Sequence, residues 1–326
     1  MAISSEAFPD DMKKKFPALL ALAIFAGSAL VAADRPTVAL LLKVRNAEGF
    51  WGQVEQGAQE AANAANVNLI VRGTTNVSNS EAQLKLLESL VGLKIDALVI
   101  TPANPALAVG PLQSHAARGL KIVVAESDLG GDTPFPFVGY DQTKLASTAA
   151  TAFAALLNKD DDVALFRSVS DQVVVQRDKV IVARLKELQP ELRLYLDFFA
   201  VSNEHSSVGE KAVLLVQKYP AAKLFIGTST PSTLALLNAA KSAGAGNKIK
   251  IAGFGFQLTH QITDAIENGT IPTFVCQVPR ELGYKSVAAA AALLRGETVP
   301  ARTDVAFFIV TKANLQTPEI QALRVP

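Results

Sequence analysis

The groups in this chain that could do chemistry stand at the ends of apolar runs. Lys43 follows Val38–Leu42, and an aromatic pair, Phe50–Trp51, comes shortly after it. Thr101-Pro102 ends the run that begins at Ala97, and Glu126-Ser127-Asp128 follows Lys121–Ala125. Ser170-Asp171-Gln172 comes after Val163–Phe166, Thr228-Ser229-Thr230 after Phe225–Gly227, and Gly253-Phe254-Gly255 after Ile249–Ala252. Gln277 closes Thr273–Cys276. Each of these alone is ordinary loop chemistry. Together they offer carboxylates, amides, hydroxyls, one ammonium group and flat aromatic walls. That set suits a small polyhydroxylated molecule, which presents C–H faces and rings of hydroxyls. Two readings of the aromatic pair stand side by side: a wall for a ligand, or, for one of the two, a cap on the domain core.

Bond-making chemistry finds little support. The histidines are His115, His205 and His260, and none stands near a serine or cysteine in a nucleophile setting. No group of residues has zinc-ligand spacing. Gly253-Phe254-Gly255 lacks the third glycine and the distal acid of a dinucleotide fingerprint. The expectation is a binding protein with no catalytic residue, no metal and no cofactor.

The elements that must position these groups read as alternating strands and helices. Thr37 to Ala62 is the first half of a βαβ unit: an apolar run fit for burial on both faces, a polar loop, then a helical pattern. The alternation continues, with strand runs at Val67–Val71, Ala97–Thr101, Lys121–Ala125 and Phe137–Tyr140. A second series runs through Val163–Phe166, Leu192–Val201, Leu224–Ile226, Ile249–Phe254, Ile271–Gln277 and Val305–Val310. Helices are expected between them, among them Gln142–Leu157, Arg177–Leu188 and Leu282–Arg295. Such alternation predicts parallel sheets covered by helices. About twelve strands are many for one sheet, so two α/β domains are expected. Ligands of open α/β sheets bind at the carboxyl ends of the strands, where the polar groups above are found.

Ahead of this pattern stand Lys13–Lys15, an apolar run Phe16–Val31 and the small residues Ala32–Ala33. A basic head, a short apolar run and small residues predict a secretory leader cut after Ala33, with translation starting at Met1 or Met12. The competing reading, an uncleaved anchor helix, meets an apolar run short of the ~20 residues a span needs. Over 326 residues, 31 Lys and Arg face 30 Asp and Glu. That balance argues against nucleic acid and anionic membranes as partners. Cys276 is the one cysteine, so no intrachain disulfide forms, and its apolar run makes it a buried small hydrophobe.

Several stretches combine into a family pattern: Lys43 with Phe50-Trp51 and Gly57-Ala58-Gln59, Asp96-Ala97-Leu98-Val99-Ile100, Glu126-Ser127-Asp128, Val138-Gly139-Tyr140-Asp141, and Gly253-Phe254. Over nearly all of Pro36–Val310 the chain resembles the periplasmic substrate-binding proteins of sugar transporters, in the group with the ribose-, rhamnose- and autoinducer-2-binding proteins. The resemblance implies two Rossmann-like domains with parallel sheets joined by three crossovers, residues 34–140 with 278–305 and 141–277 with 306–326. It implies hinge positions at Tyr140, Asp141, Val278 and Val305, and closure on a ligand held in the cleft. It also implies a periplasmic monomer that hands its ligand to the permease of an ABC transporter. A receptor subunit signalling through a sensor kinase or chemoreceptor is the alternative with the same fold. Repressors of this fold carry a helix-turn-helix ahead of it; a leader stands there in this chain, so no nucleic-acid partner is expected.

By the same resemblance, Phe50 and Trp51 match the pair that sandwiches a sugar ring. Glu126 stands where an aspartate usually binds hydroxyls, and Gln277 matches a hinge glutamine that reaches ligand. Lys43 matches a lysine of the rhamnose-like and autoinducer-2-like branches, and Asp171-Gln172 the acid–amide pair of the latter. Arg177 falls near an arginine of the ribose branch. Thr101, Thr228, Thr230 and Phe254 complete the expected ligand contacts. Plainer roles stay open for three of these: Lys43 as a solvated loop charge, Asp171 as a turn cap, Arg177 as an exposed first helical turn. The departures are Gly255 where the ribose branch has aspartate, Ser229-Thr230 for its Asn-Asp pair, and Thr228 and Thr230 for a proline and an alanine of the autoinducer-2 branch. Ribose is therefore not the expected ligand; a sugar, deoxysugar, polyol or autoinducer-2-like molecule is.

Overall fold

The computed structural model describes residues 35–45, 48–168, 171–199, 205–243 and 249–325. The expected leader and Ser170 lie outside the described residues. The chain forms β1 (Thr37–Leu42), β2 (Asn68–Gly73), β3 (Ala97–Ile100), β4 (Lys121–Ala125), β5 (Phe137–Gly139), β6 (Asp162–Ser168) and β7 (Arg193–Phe199). β8 (Leu224–Gly227), β9 (Lys250–Gly255), β10 (Thr273–Gln277), β11 (Arg302–Asp304) and β12 (Phe307–Val310) complete the strands. The connections hold α1 (Gly49–Ala65), α2 (Ser80–Gly92), α3 (Pro105–Ala116), α4 (Gln142–Ala154) and α5 (Gln172–Leu188). They continue with α6 (His205–Lys218), α7 (Thr230–Ser242), α8 (His260–Glu267), α9 (Pro279–Leu294) and the short α10 (Pro318–Gln321).

These strands make two six-stranded sheets, in the orders β11-β5-β4-β3-β1-β2 and β12-β10-β9-β8-β6-β7. Every described pairing is parallel except that of β12 with β10. β1 illustrates why the apolar runs become central strands. Val38, Leu40 and Leu42 pack with α1 and α9, while Ala39 and Leu41 pack with α2 and α3 on the other face. A strand covered on both sides has no polar face to keep, hence its unbroken apolar run.

Glycine fixes the seating of α1, which carries the aromatic pair. A Cβ at Gly57 would lie 1.8 Å from the Arg280 carbonyl oxygen, and one at Gly283 1.9 Å from that of Val54. Helices α1 and α9 therefore touch backbone to backbone, and a methyl group at either position would prise them apart.

Three differences from the sequence reading bear on the cleft. The strand expected over Val305–Val310 begins at Phe307 as β12 of the second sheet, and a separate strand, β11, precedes it in the first sheet. Val305 is buried between them and donates its N–H to the Gly139 carbonyl at 2.9 Å, holding the chain to the first sheet until it passes to the second. Helix α5 starts at Gln172 rather than Arg177, because the Asp171 side chain accepts the Val173 N–H at 2.9 Å and caps it. Helix α9 starts at Pro279 rather than Leu282, since proline at the first position lacks only an N–H that would have no helical partner.

Candidate ligand-binding cleft

The loop that follows β1 is held from both sides. The Lys43 N–H donates to Thr101 Oγ1 at 2.8 Å, and the Lys43 carbonyl accepts from Thr74 Oγ1 at 2.5 Å. Thr101 is fully buried and is in turn bonded through its carbonyl to Gln83 Nε2 at 2.8 Å, so it braces the strand ends. Lys43 is 2 % exposed, which excludes a solvated loop charge. Its Nζ lies 2.7 Å from Glu126 Oε2 and 3.3 Å from Asp171 Oδ1. One ammonium group thus joins a carboxylate after the first sheet's β4 to a carboxylate after the second sheet's β6.

Glu126 is a non-glycine residue in the left-handed region, with φ 62°. Such a backbone costs about 1–3 kcal/mol and persists where its surroundings over-determine it. Here the Glu126 N–H is fixed on the Val138 carbonyl, and its carboxylate on Lys43 and the Ser127 hydroxyl. Asp171 takes the cap role, at the start of α5, and also pairs with Lys43.

Burial by itself would push the Lys43 ammonium down, but Asp171 and Glu126 outweigh it and hold the group above its ordinary value. Burial also acts to raise Asp171, and there Lys43 and the Val173 N–H win, leaving it below the usual range. Glu126 goes the other way: burial raises it, and the neighbouring Asp171 adds to that against the pull of Lys43.

The aromatic pair sits in the first turn of α1, where the helical pattern begins. Trp51 is 9 % exposed and part of the domain core, with the Lys43 Nζ 5.7 Å from its ring centroid. Phe50 meets Trp51 edge-on at 5.1 Å and, from the other side, Phe256 just beyond β9 at 6.0 Å. Of the two readings of the pair, the core reading holds for Trp51, whereas Phe50 reaches across to the second domain.

Arg177 is 4 % exposed, which overturns its reading as an exposed first turn. Its Nη2 donates to the Thr228 carbonyl, and its guanidinium lies 4.3 Å from the Phe254 ring centroid. Burial holds it below the ordinary arginine value. Phe254 is itself buried, edge-on to Phe153 at 6.1 Å. The Thr228 hydroxyl donates to Asp178 Oδ2 at 3.2 Å. Thr230 opens α7, which Ser229 caps reciprocally with Ser232. Gln277 ends β10 opposite Phe307 of β12.

A cavity of about 670 Å³ opens beside this cluster. Of the expected residues its wall holds Glu126, Gln172, Tyr140 and Asp141; the other expected contacts are not part of that wall. Asn104, Asp128, Gln142, Gln176 and Arg302 also line it. Arg302, from β11, bonds Asp304 at 2.8 Å, the Tyr140 carbonyl at 3.3 Å and Asp128 at 3.4 Å. Amides, carboxylates and a guanidinium thus share the wall with the apolar Leu129, Phe137 and Val173. Asn104 and Gln142 were legible only as polar residues at helix starts, and Arg302, far along the chain, gave no signal.

The expected hinge positions lie together. The Tyr140 hydroxyl accepts the Val278 N–H at 3.0 Å, tying the first crossover to the second. Asp141 caps α4 by accepting the Lys144 N–H at 2.9 Å. Cys276 is buried, its thiol pushed up to about 12, as its apolar strand foretold.

Two doubly wound domains, linked by a chain that passes between their sheets three times and facing a polar cleft, are the build of a two-domain binding protein. The chain belongs to the family described as periplasmic binding protein domain, whose profile matches residues 38–298. Among its relatives is a D-ribose/D-allose-binding protein of Pseudomonas aeruginosa, 22 % identical over 274 residues, which span 81 % of this chain and 84 % of that one. The ABC transporter periplasmic-binding protein YphF of Escherichia coli is 23 % identical, with 78 % and 79 % covered. A solute-binding protein of Agrobacterium vitis with bound D-fucose superposes with a TM-score of 0.80 at 21 % identity, over 89 % of this chain and all of that one. The periplasmic component of an ABC-type sugar transport system from Hahella chejuensis does so at 0.74 and 26 % identity, over 85 % and 100 %. These relatives are binding proteins and not enzymes.

Proposed function

We propose that this chain is a periplasmic solute-binding protein that closes on one sugar-like, uncharged molecule and presents it to the permease of an ABC transporter. The observation that carries the reading is the charge balance of the cleft. Lys43 is matched by Glu126 and Asp171 in a buried cluster, and Arg177 and Arg167 both act on a third buried acid, Asp178. Three cations against three carboxylates leave no net charge for an anionic or cationic ligand to answer. The amides of Asn104, Gln142, Gln172 and Gln176 in the cavity wall both donate and accept, as hydroxyl-rich molecules require. The relatives named for D-ribose or D-allose and bound to D-fucose agree with a neutral sugar.

In this reading the domains are residues 34–140 with 278–305 and 141–277 with 306–326. They rotate about Tyr140, Asp141, Val278 and Val305, where a few residues absorb the change in backbone angles. Ligand shifts the equilibrium toward closure by its greater affinity for the closed state. The ligand-contacting set is drawn from the one read from sequence, Phe50 and Trp51 flanking the site with Lys43, Glu126, Asp171, Gln172 and Arg177. Export would proceed through the leader, with cleavage after Ala33 visible as a mature N-terminus at Asp34, and the protein would work as a monomer.

The test is a thermal-shift screen of refolded, ligand-stripped protein from Asp34 onward against D-ribose, D-allose, D-arabinose, D-fucose, D-tagatose, polyols and autoinducer-2. Saturation at a hundredfold excess over Kd stabilises by ~2.7 kcal/mol. One neutral sugar or polyol should raise the midpoint clearly while sugar acids and sugar phosphates leave it unmoved. A flat response to every neutral compound, or a response confined to charged ones, would overturn the proposal.

A further inference from the structure

The acids expected to receive ligand hydroxyls are already engaged. Glu126 and Asp171 both hold Lys43. Position 255 offers nothing either: a Cβ on Gly255 would lie 2.2 Å from the Phe274 ring, so the ring fills the room an acid there would need. At the carboxyl edge of the strands, one buried carboxylate among the described residues is left that neither the sequence reading nor the relatives' names assign. Asp178, on the second turn of α5, is 1 % exposed. Its Oδ2 accepts from the Thr228 hydroxyl at 3.2 Å, which sets it at the carboxyl end of β8, at the rim of the second sheet. Its Oδ1 has no hydrogen-bond partner among the described residues, and neither has Nε of the adjoining Arg177 or of Arg167 on β6. Buried polar atoms are nearly always satisfied, and an orphaned acceptor beside orphaned donors calls for a group that both donates and accepts. A hydroxyl is such a group.

We propose that Asp178, with Arg177 beside it, is the hydroxyl-gripping acid of the second domain, taking a ligand hydroxyl on Oδ1 while the Arg177 guanidinium donates to the same oxygen or its neighbour. This rests on the sugar-binding reading and adds to it the residue that fixes one hydroxyl's position. The acid comes from α5 rather than from the end of β9, so a ligand hydroxyl is met from a different side than an acid at position 255 would meet it. That difference makes Asp178 a specificity determinant.

The arrangement also makes binding sensitive to pH. Burial lifts the Asp178 carboxyl to about 7, against the pull of Arg177, the Thr228 hydroxyl and Arg167. Those are the charged and polar groups facing it from α5, β8 and β6; on α4, which also packs on α5, the charged residue is the exposed Lys144. The carboxylate accepts the ligand hydroxyl, so affinity falls as Asp178 takes up a proton. If only the ionised form binds, affinity drops about tenfold between pH 8 and pH 6.

The experiment is isothermal titration of the refolded protein with whichever of D-ribose, D-allose, D-arabinose, D-fucose and D-tagatose binds it, from pH 6 to 8, beside Asp178→Asn. The wild type should weaken about tenfold toward pH 6 and release about half a proton per ligand at pH 7, read from titrations in two buffers. Asp178→Asn, its fold checked by circular dichroism, should bind at least tenfold more weakly at pH 8 and lose the pH dependence. Equal affinity of the variant and the wild type overturns the inference alone. So does a flat wild-type profile with no proton released, a result that stands even if the variant fails to fold. Failure of these sugars to bind the wild type overturns this inference, and failure of the polyols and autoinducer-2 as well overturns the functional reading.

Discussion

Replacing Lys43 with methionine tests the cleft's central contact directly. Methionine keeps much of the stem volume and removes only the charge. In the wild type the Lys43 side chain is 3 % exposed, and those of Glu126 and Asp171 are 8 % and 18 % exposed. Removing one member of a buried ion pair leaves an uncompensated charge and costs ~3–5 kcal/mol. At ~2–4 °C per kcal/mol for a chain of this order of size, the melting midpoint should fall by ~6–20 °C. The sign with pH follows from the directions of the shifts. Lys43, held above its ordinary value, contributes stability that is full below its unfolded pKa and lost as pH rises through the folded one. Asp171, held low, contributes stability present above its unfolded pKa and lost as pH falls through the folded one. Over the neutral range between them the wild type keeps the whole benefit. In Lys43→Met, Glu126 loses the cation that opposed its upward shift, so acidification neutralises it readily and the deficit should narrow from pH 7.5 toward pH 5. Circular dichroism melts across that range, with Asp171→Asn and the double mutant to complete a cycle, measure both effects. A midpoint within about 2 °C of wild type at pH 7.5 would refute the buried pairing.

Trp51→Ala should weaken sugar binding and also destabilise by ~3–5 kcal/mol, since the indole belongs to the core; titration and melting read the two losses separately. Gly283→Ala should lower the urea midpoint by the equivalent of at least ~1–3 kcal/mol, because the added methyl meets the Val54 carbonyl backbone; an unchanged midpoint would mean that α1 and α9 part without cost. Tyr140→Phe leaves the Val278 N–H without its acceptor and should cost ~1–3 kcal/mol, together with a changed population of closed protein seen by small-angle scattering.

Much of the architecture was legible in the residues. Apolar runs such as Val38–Leu42 become central parallel strands because burial on both faces leaves no place for a polar side chain. The alternation of such runs with helical patterns specifies parallel sheets, and their number demands two. Chemistry at strand ends was legible for the same reason, since loops at the carboxyl edge are where an open sheet exposes polar groups. The cap of α5 by Asp171 and the buried cysteine also followed from local rules. What the tertiary structure decided is which of these groups meet. Lys43 and Asp171 are 128 residues apart in sequence, and nothing local says that one ammonium group will hold an acid from each domain. Phe50 finds Phe256, Arg302 joins the cavity wall, and Trp51 turns inward, each through contacts between segments distant along the chain. Asp178 reads in sequence as one more charge within a helix; only the packing of α5 on β6 and β8 buries it and leaves an oxygen unpaired. Periodicity encodes which face of an element is covered, but not what covers it, and the cleft is made of what covers what.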